Sequence, residues 1–219
     1  MFNVIRPQDE PQSLSKKKKY DGEDVYIALK KAFFDKCYLC ETKEPQDVHI
    51  EHFDAHQGDH KKKFDWNNLY FVCSRCNSIK GTKFNNLIDC CDEKTDVSRL
   101  IKLLPPHTPY SKNIQVEATS SAPQVNETRV LLDKIYNSEH TINKRVTGSF
   151  IRKKIFTQYK LLLEQLNIYY AEFATEEDMR LAVERIKVLC DKKSAYSAFI
   201  RWCIYDDEKL GPMLKDYMD

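Results

Sequence analysis

No run in this 219-residue chain approaches the roughly 18 consecutive apolar residues of a membrane-spanning helix. Its polar first stretch also lacks the hydrophobic centre of a secretory signal. The expected setting is therefore the cytoplasm, with no membrane partner. An excess of one charge sign is missing too: 35 Lys and Arg stand against 33 Asp and Glu, a net charge of +2. That balance excludes a global field strong enough to draw in nucleic acid, so any phosphate contact must come from local clusters. No internal repeat and no coiled-coil pattern is present, which argues against solenoids and long rods.

Cysteine, by contrast, is plentiful. Four of the eight form two pairs with two intervening residues, Cys37-Tyr38-Leu39-Cys40 and Cys73-Ser74-Arg75-Cys76. Without an export signal, that spacing points to zinc before disulfides. Two such knuckles bring four thiolates around one Zn2+ and leave no position for water, so the metal is expected to be structural. Its binding would stabilise folding directly, because the ligands meet only in the folded chain. Cys90 and Cys91 are neighbours with poor geometry for chelating one ion together. They read as small buried hydrophobes, as do Cys190 and Cys203 on apolar helical stretches.

Periodicity predicts an α+β fold. Residues 1–22 read as an extended arm. Apolar residues recur at helical spacing over 23–35, and residues 48–53 alternate as a half-buried strand does. Residues 69–72 form a second short strand, and 74–83 turn into a helix. A zinc-stabilised domain is thus expected over 23–104. Four prolines with Ser and Thr mark 105–124 as a linker or long loop. The rest, 125–219, reads as a helical region with helices over 125–137 and 149–173, a third opening at Thr175 with apolar residues at helical spacing through Leu189, and a fourth over 194–205. Thr175 is the N-cap of the third, with acids following it.

Between the cysteine pairs lie His49-Ile50-Glu51-His52 and Asn67-Asn68-Leu69, and Asn77 follows the last cysteine. Cutting a phosphodiester needs a general base for water and a cation for the developing charge. His52 can be the base, because imidazole titrates near neutrality. Glu51, on the other side of the strand, can bind a divalent metal, with the Asn77 carbonyl oxygen as second ligand. Oxygen ligands of this kind suit Mg2+ or Mn2+. Asn68 is expected to hold the His52 loop by side-chain hydrogen bonds. Lys61, Lys62 and Lys63, inside the motif, are expected to meet phosphate, as are Lys80 and Lys83 at i and i+3 on the following helix. Solvated surface is the rival reading for Lys83. Solitary His49, His56 and His60 read as ordinary surface or packed residues, and Trp66 and Tyr70 as core.

The stretch 37–83 resembles the HNH endonucleases of ββα-metal type. In that comparison His52 matches the first histidine, Asn68 the central asparagine, Asn77 the last histidine and Glu51 the metal-binding acid. With Pro11-Gln12-Ser13-Leu14, Glu41 after Cys40, Ile50-Glu51-His52-Phe53, Trp66-Asn67-Asn68-Leu69 and Cys76-Asn77-Ser78-Ile79-Lys80-Gly81, the likeness narrows to the PtuB family of Septu and retron-associated antiphage systems. The resemblance implies a ββα-metal core, nuclease activity and a PtuA-like partner, an ABC-type ATPase. One departure stands out: Asp54-Ala55 replaces the family's Arg-Pro, which frees the loop and adds a carboxylate. The implied function is hydrolysis of nucleic acid, DNA favoured. RNA such as transfer RNA, or a non-catalytic zinc module docking on the ATPase, are the alternatives.

Overall fold

The computed structural model describes residues 1–139 and 145–218 and is α+β, with two small antiparallel sheets set among helices. The alternating stretch forms β1 (Val48–His52), paired with β2 (Leu69–Cys73) so that Glu51 lies opposite Tyr70 and His52 opposite Leu69. Between them run a short helix α3 (His60–Lys63) and a single 3-10 turn over Trp66–Asn68. Helix α4 (Ser74–Lys80) starts directly after β2 and packs on both strands. Gly81 ends it: φ is +51°, and its N–H reaches the Asn77 carbonyl at 2.9 Å. Lys83, expected on the same helical face as Lys80, therefore lies beyond the helix.

Helices α1 (Gln12–Ser15) and α2 (Glu23–Ala32) precede the hairpin. Glu23 and Asp24 open α2 and Lys30 and Lys31 close it, matching the helix dipole at both ends. The first residues, expected as an extended arm, lie against the fold and include α1. Met1, Phe2, Val4 and Leu14 are buried in the main core with Leu29 and Phe33, because this small hairpin cannot cover its own apolar face. Residues 105–124 are likewise more than a linker. They carry β4 (Val116–Ala118), paired with β3 (Ile101–Leu103), and Ile114 is clamped at both its N–H and carbonyl by Asn137.

Helices α5 (Pro123–Asn137), α6 (Gly148–Tyr169), α7 (Glu176–Cys190), α8 (Ser197–Tyr205) and α9 (Leu210–Met218) follow. Thr175 and Asp178 form the capping box that the sequence signals at the start of α7. Leu162, Ile186, Ile200 and Leu214 make a second core among α6–α9. The helical region is not detached from the hairpin, since α5 and the start of α6 share the first core. Buried Arg75 donates to the carbonyls of Ile135 at 2.7 Å and Ser138 at 2.8 Å, and the Tyr136 hydroxyl donates to the Leu39 carbonyl at 3.2 Å. Among the described residues no helix is long and apolar enough to cross a membrane.

Candidate metal centre and the adjoining hairpin

The Cys37, Cys40, Cys73 and Cys76 sulfurs all lie within 4.8 Å of one another and are buried, with Cys40 and Cys73 3.9 Å apart. Sulfurs around a tetrahedral zinc at about 2.3 Å stand about 3.8 Å apart, so the cluster fits such an ion. Local backbone explains the convergence. Glu41 turns the chain at φ +59°, its N–H bonds to the Cys37 carbonyl at 2.9 Å, and the Cys37 N–H bonds to the Thr42 carbonyl at 3.0 Å. Cys73 ends β2 and caps α4, its sulfur accepting the Cys76 N–H at 3.5 Å. Burial pushes the Cys37 and Cys76 thiols well up, while the thiols of Cys37, Cys73 and Cys76 hold Cys40 well below the usual range. A cation would relieve that conflict by taking all four as thiolates.

Glu41, next to the cage, is fully buried. Its carboxylate meets the Lys36 ammonium and the Met1 amino group, each at 3.0 Å, and accepts from the Ser197 hydroxyl at 3.2 Å and the Ala198 N–H at 3.3 Å. Burial alone would raise its carboxyl, but the two ammonium groups more than offset that and hold it at about 2. Cage, first residues and α8 are thereby tied at one point. In the sequence this residue's only mark is its place after Cys40.

His52 ends β1, half-buried. Its Nε2 lies 3.0 Å from the Lys63 carbonyl oxygen, which can only accept, so Nε2 carries the proton and Nδ1 keeps the lone pair. Burial lowers its pKa below the usual imidazole value, and the charges of His56, Lys63 and Lys80 add to that. His56 stands edge-on at 4.6 Å and Tyr20 lies tilted at 4.8 Å. Asn68 binds both ends of the intervening loop: its Oδ1 accepts the Asp54 N–H at 2.8 Å, and its Nδ2 donates to the Asp54 and Lys62 carbonyls at 2.9 and 3.0 Å.

The expected metal pair is less simply arranged. Glu51 is buried, accepts from the Tyr38 hydroxyl and lies 3.9 Å from the Lys80 ammonium. Burial raises its carboxyl to about 7, against the pull of Lys80 and Tyr38. Asn77 sits one turn earlier on α4, with its amide 3.0 Å from Nδ1 of exposed His49. A cleft of about 610 Å³ lined by Tyr20, His49, Ile50 and Asn77 opens there. His49, expected as an ordinary surface or packed residue, is exposed and meets Asn77.

No family model matches the chain, and no curated protein matches it either.

The basic residues divide. Lys61 and Lys83 are exposed, and Lys62 is exposed but paired with Asp54 at 2.6 Å. Lys63 lies 5.7 Å from the Tyr20 ring centre. Lys80 corrects the expectation of a phosphate-facing lysine. It is 2% exposed and donates to the His52 carbonyl at 3.2 Å, because the face of α4 that carries it lies on β1. The Asp54 carboxylate is likewise engaged by Lys62.

Proposed function

We propose that the chain is a metal-dependent nuclease of HNH type, hydrolysing phosphodiester bonds with His52 as general base, and that the four cysteines hold structural zinc. The observation that carries this reading is the 3.0 Å approach of His52 Nε2 to the Lys63 carbonyl, from which the ring proton is assigned to Nε2. With Nε2–H bound to the Lys63 carbonyl, Nδ1 is the basic nitrogen, and the lowered pKa keeps it unprotonated at neutral pH. Asn68 fixes the loop that carries this acceptor, so it positions the base without touching substrate. His52 Nδ1 takes a proton from water, and the oxygen attacks phosphorus in line with the departing oxygen. Glu51 and Asn77 have the oxygen donors to hold Mg2+ or Mn2+, with His49 beside Asn77. Such an ion, when bound, neutralises charge developing on the phosphate. Glu51 must then be ionised and released by Lys80, so affinity for the ion should rise with pH through about 7. Lys61, Lys62, Lys63 and Lys83 supply local positive charge for the backbone of the nucleic acid, DNA in the favoured reading. An ABC-type ATPase partner in antiphage defence completes the proposal.

Replacing His52 by Ala should lower cleavage at least about 100-fold with zinc content and folding unchanged. Undiminished cleavage by that variant defeats the assignment. One observation favours a second reading, a non-catalytic zinc module that docks on the ATPase. The Glu51–Lys80 pair is already compensated without a metal. In that case Glu51, His52 and Asn77 are replaceable without loss, whereas Cys73 is not. Parallel incubation with DNA and transfer RNA, with and without the ATPase, separates the substrates.

A further inference from the structure

A second cluster lies outside the proposed hydrolytic site. The Asp89 carboxylate and the sulfurs of Cys90 and Cys91 sit within 4.8 Å of one another. Cys90 is buried, and half-buried Cys91 lines a cleft of about 540 Å³ together with Arg6, Trp66 and Asp89. The Arg6 guanidinium donates to the Cys91 sulfur at 3.3 Å. It is held there by the Trp66 and Leu69 carbonyls, each at 2.9 Å, and by the Trp66 and Tyr70 rings, whose centres lie 5.1 and 4.9 Å away. Asp89 is engaged by the Tyr70 hydroxyl and the Cys91 N–H.

This cluster already contains its cation. A metal ion placed among the three donors would stand beside a fixed guanidinium, so the arrangement suits a stabilised thiolate better than a chelate. The Cys90 thiol, then Arg6, hold the Cys91 thiol at about 7 against the opposing effect of burial. Cys203 has comparable half-burial, yet burial pushes it up to about 12. Two cysteines of similar access thus differ in the fraction present as nucleophile.

We propose that Cys91 is a peroxide-oxidisable site and that Cys90 is its resolving thiol. The Cys91 thiolate attacks one oxygen of hydrogen peroxide. An S–O bond forms, the O–O bond breaks, and the departing hydroxide takes up a proton to become water, leaving a sulfenic acid. The Cys90 sulfur then attacks the Cys91 sulfur, the S–S bond forms and the S–O bond breaks. The Cys90 proton leaves with that hydroxyl as a second water. The two sulfurs together lose two electrons to the peroxide, and a dithiol reductant reverses the change.

The test uses the full zinc-loaded chain. Under limiting iodoacetamide at pH 7, Cys91 should be alkylated at least about tenfold faster than Cys203, read by peptide mass spectrometry. One equivalent of hydrogen peroxide should remove two hydrogen atoms from the peptide holding Cys90 and Cys91 while zinc stays bound. Cys90→Ser should instead leave a dimedone-reactive sulfenic acid on Cys91, and Arg6→Gln should slow Cys91 alkylation about tenfold. Equal alkylation of Cys91 and Cys203, or peroxide consumed at the four cage cysteines with Cys91 still reduced, overturns the proposal. An unchanged rate in a folded Arg6→Gln chain does so as well. Because the first comparison needs no substitution, a variant that fails to fold does not shelter the idea.

Discussion

The cage-and-hairpin region and the α6–α9 bundle bury different kinds of side chain. Around the hairpin the interior holds Lys36, Glu41, Glu51, Arg75 and Lys80, each paired by charge or hydrogen bond. Among α6–α9 the interior is mainly aliphatic, Leu162, Ile186, Ile200, Ile204, Leu210 and Leu214, with buried polar Gln165 and Arg201 beside them. Aliphatic contacts are non-directional and tolerate small shifts, whereas a buried charge loses its compensation as soon as its partner moves. The first region is therefore specified by partners and the second by volume. Buried ion pairs mark the first region, Lys36 with Glu41 and Lys80 with Glu51, whereas buried Arg201 of α8 meets the Cys190 and Met218 carbonyls.

That contrast can be broken most forcefully through the cage. Chelation, or Cys73→Ser, removes a contribution of about 10 kcal/mol or more in sites of this kind. The hairpin region should become protease-sensitive while α6–α9 keeps most of its helical circular dichroism. Simultaneous loss of both would erase the distinction. Next in size is Glu41. Its carboxyl lies at about 2 in the folded chain against an ordinary 4.5, so its stabilisation is complete above pH 4.5 and disappears as pH falls through 2. Glu41→Gln should cost about 3–5 kcal/mol at neutral pH and flatten the acid limb of the stability curve, measured by urea unfolding. In the bundle, Leu162→Ala should cost about 2–5 kcal/mol by leaving a cavity, with no dependence on chelator or acid. The smallest effect sharpens the same line: Thr175→Ala removes one cap of α7 and should cost about 1 kcal/mol, read as a small shift in thermal midpoint.

What the sequence made legible were features with short-range rules. Alternation located β1 and a short apolar run located β2, each to within a residue; paired cysteine spacing located the cage, and Thr175 with Asp178 located the start of α7. Asn68 bridges the loop after His52 as expected, from the 3-10 turn that leads into β2. The departures all depend on distant pairing. Lys80 looked like a surface cation because periodicity does not reveal that Glu51 waits across α4 and β1. The first residues read only as an extended arm because each is unremarkable until Phe2 meets the core and Arg6 meets Trp66 and Tyr70. Proline masked β4, whose three residues are too few for a pattern to register. His49 beside Asn77 required the docking of α4, which no local signal encodes.

Cys73 completes a strand, begins a helix and donates a sulfur, all with one side chain and its own backbone. Strands of five residues make a ribbon too small to persist unaided. Order of events during biogenesis then matters: a chain that captures its ion early is zippered from the knuckle outward. One starved of the ion keeps the hairpin as loose polymer, open to degradation. Metal supply, on this view, is the checkpoint that decides when the hairpin region first takes shape.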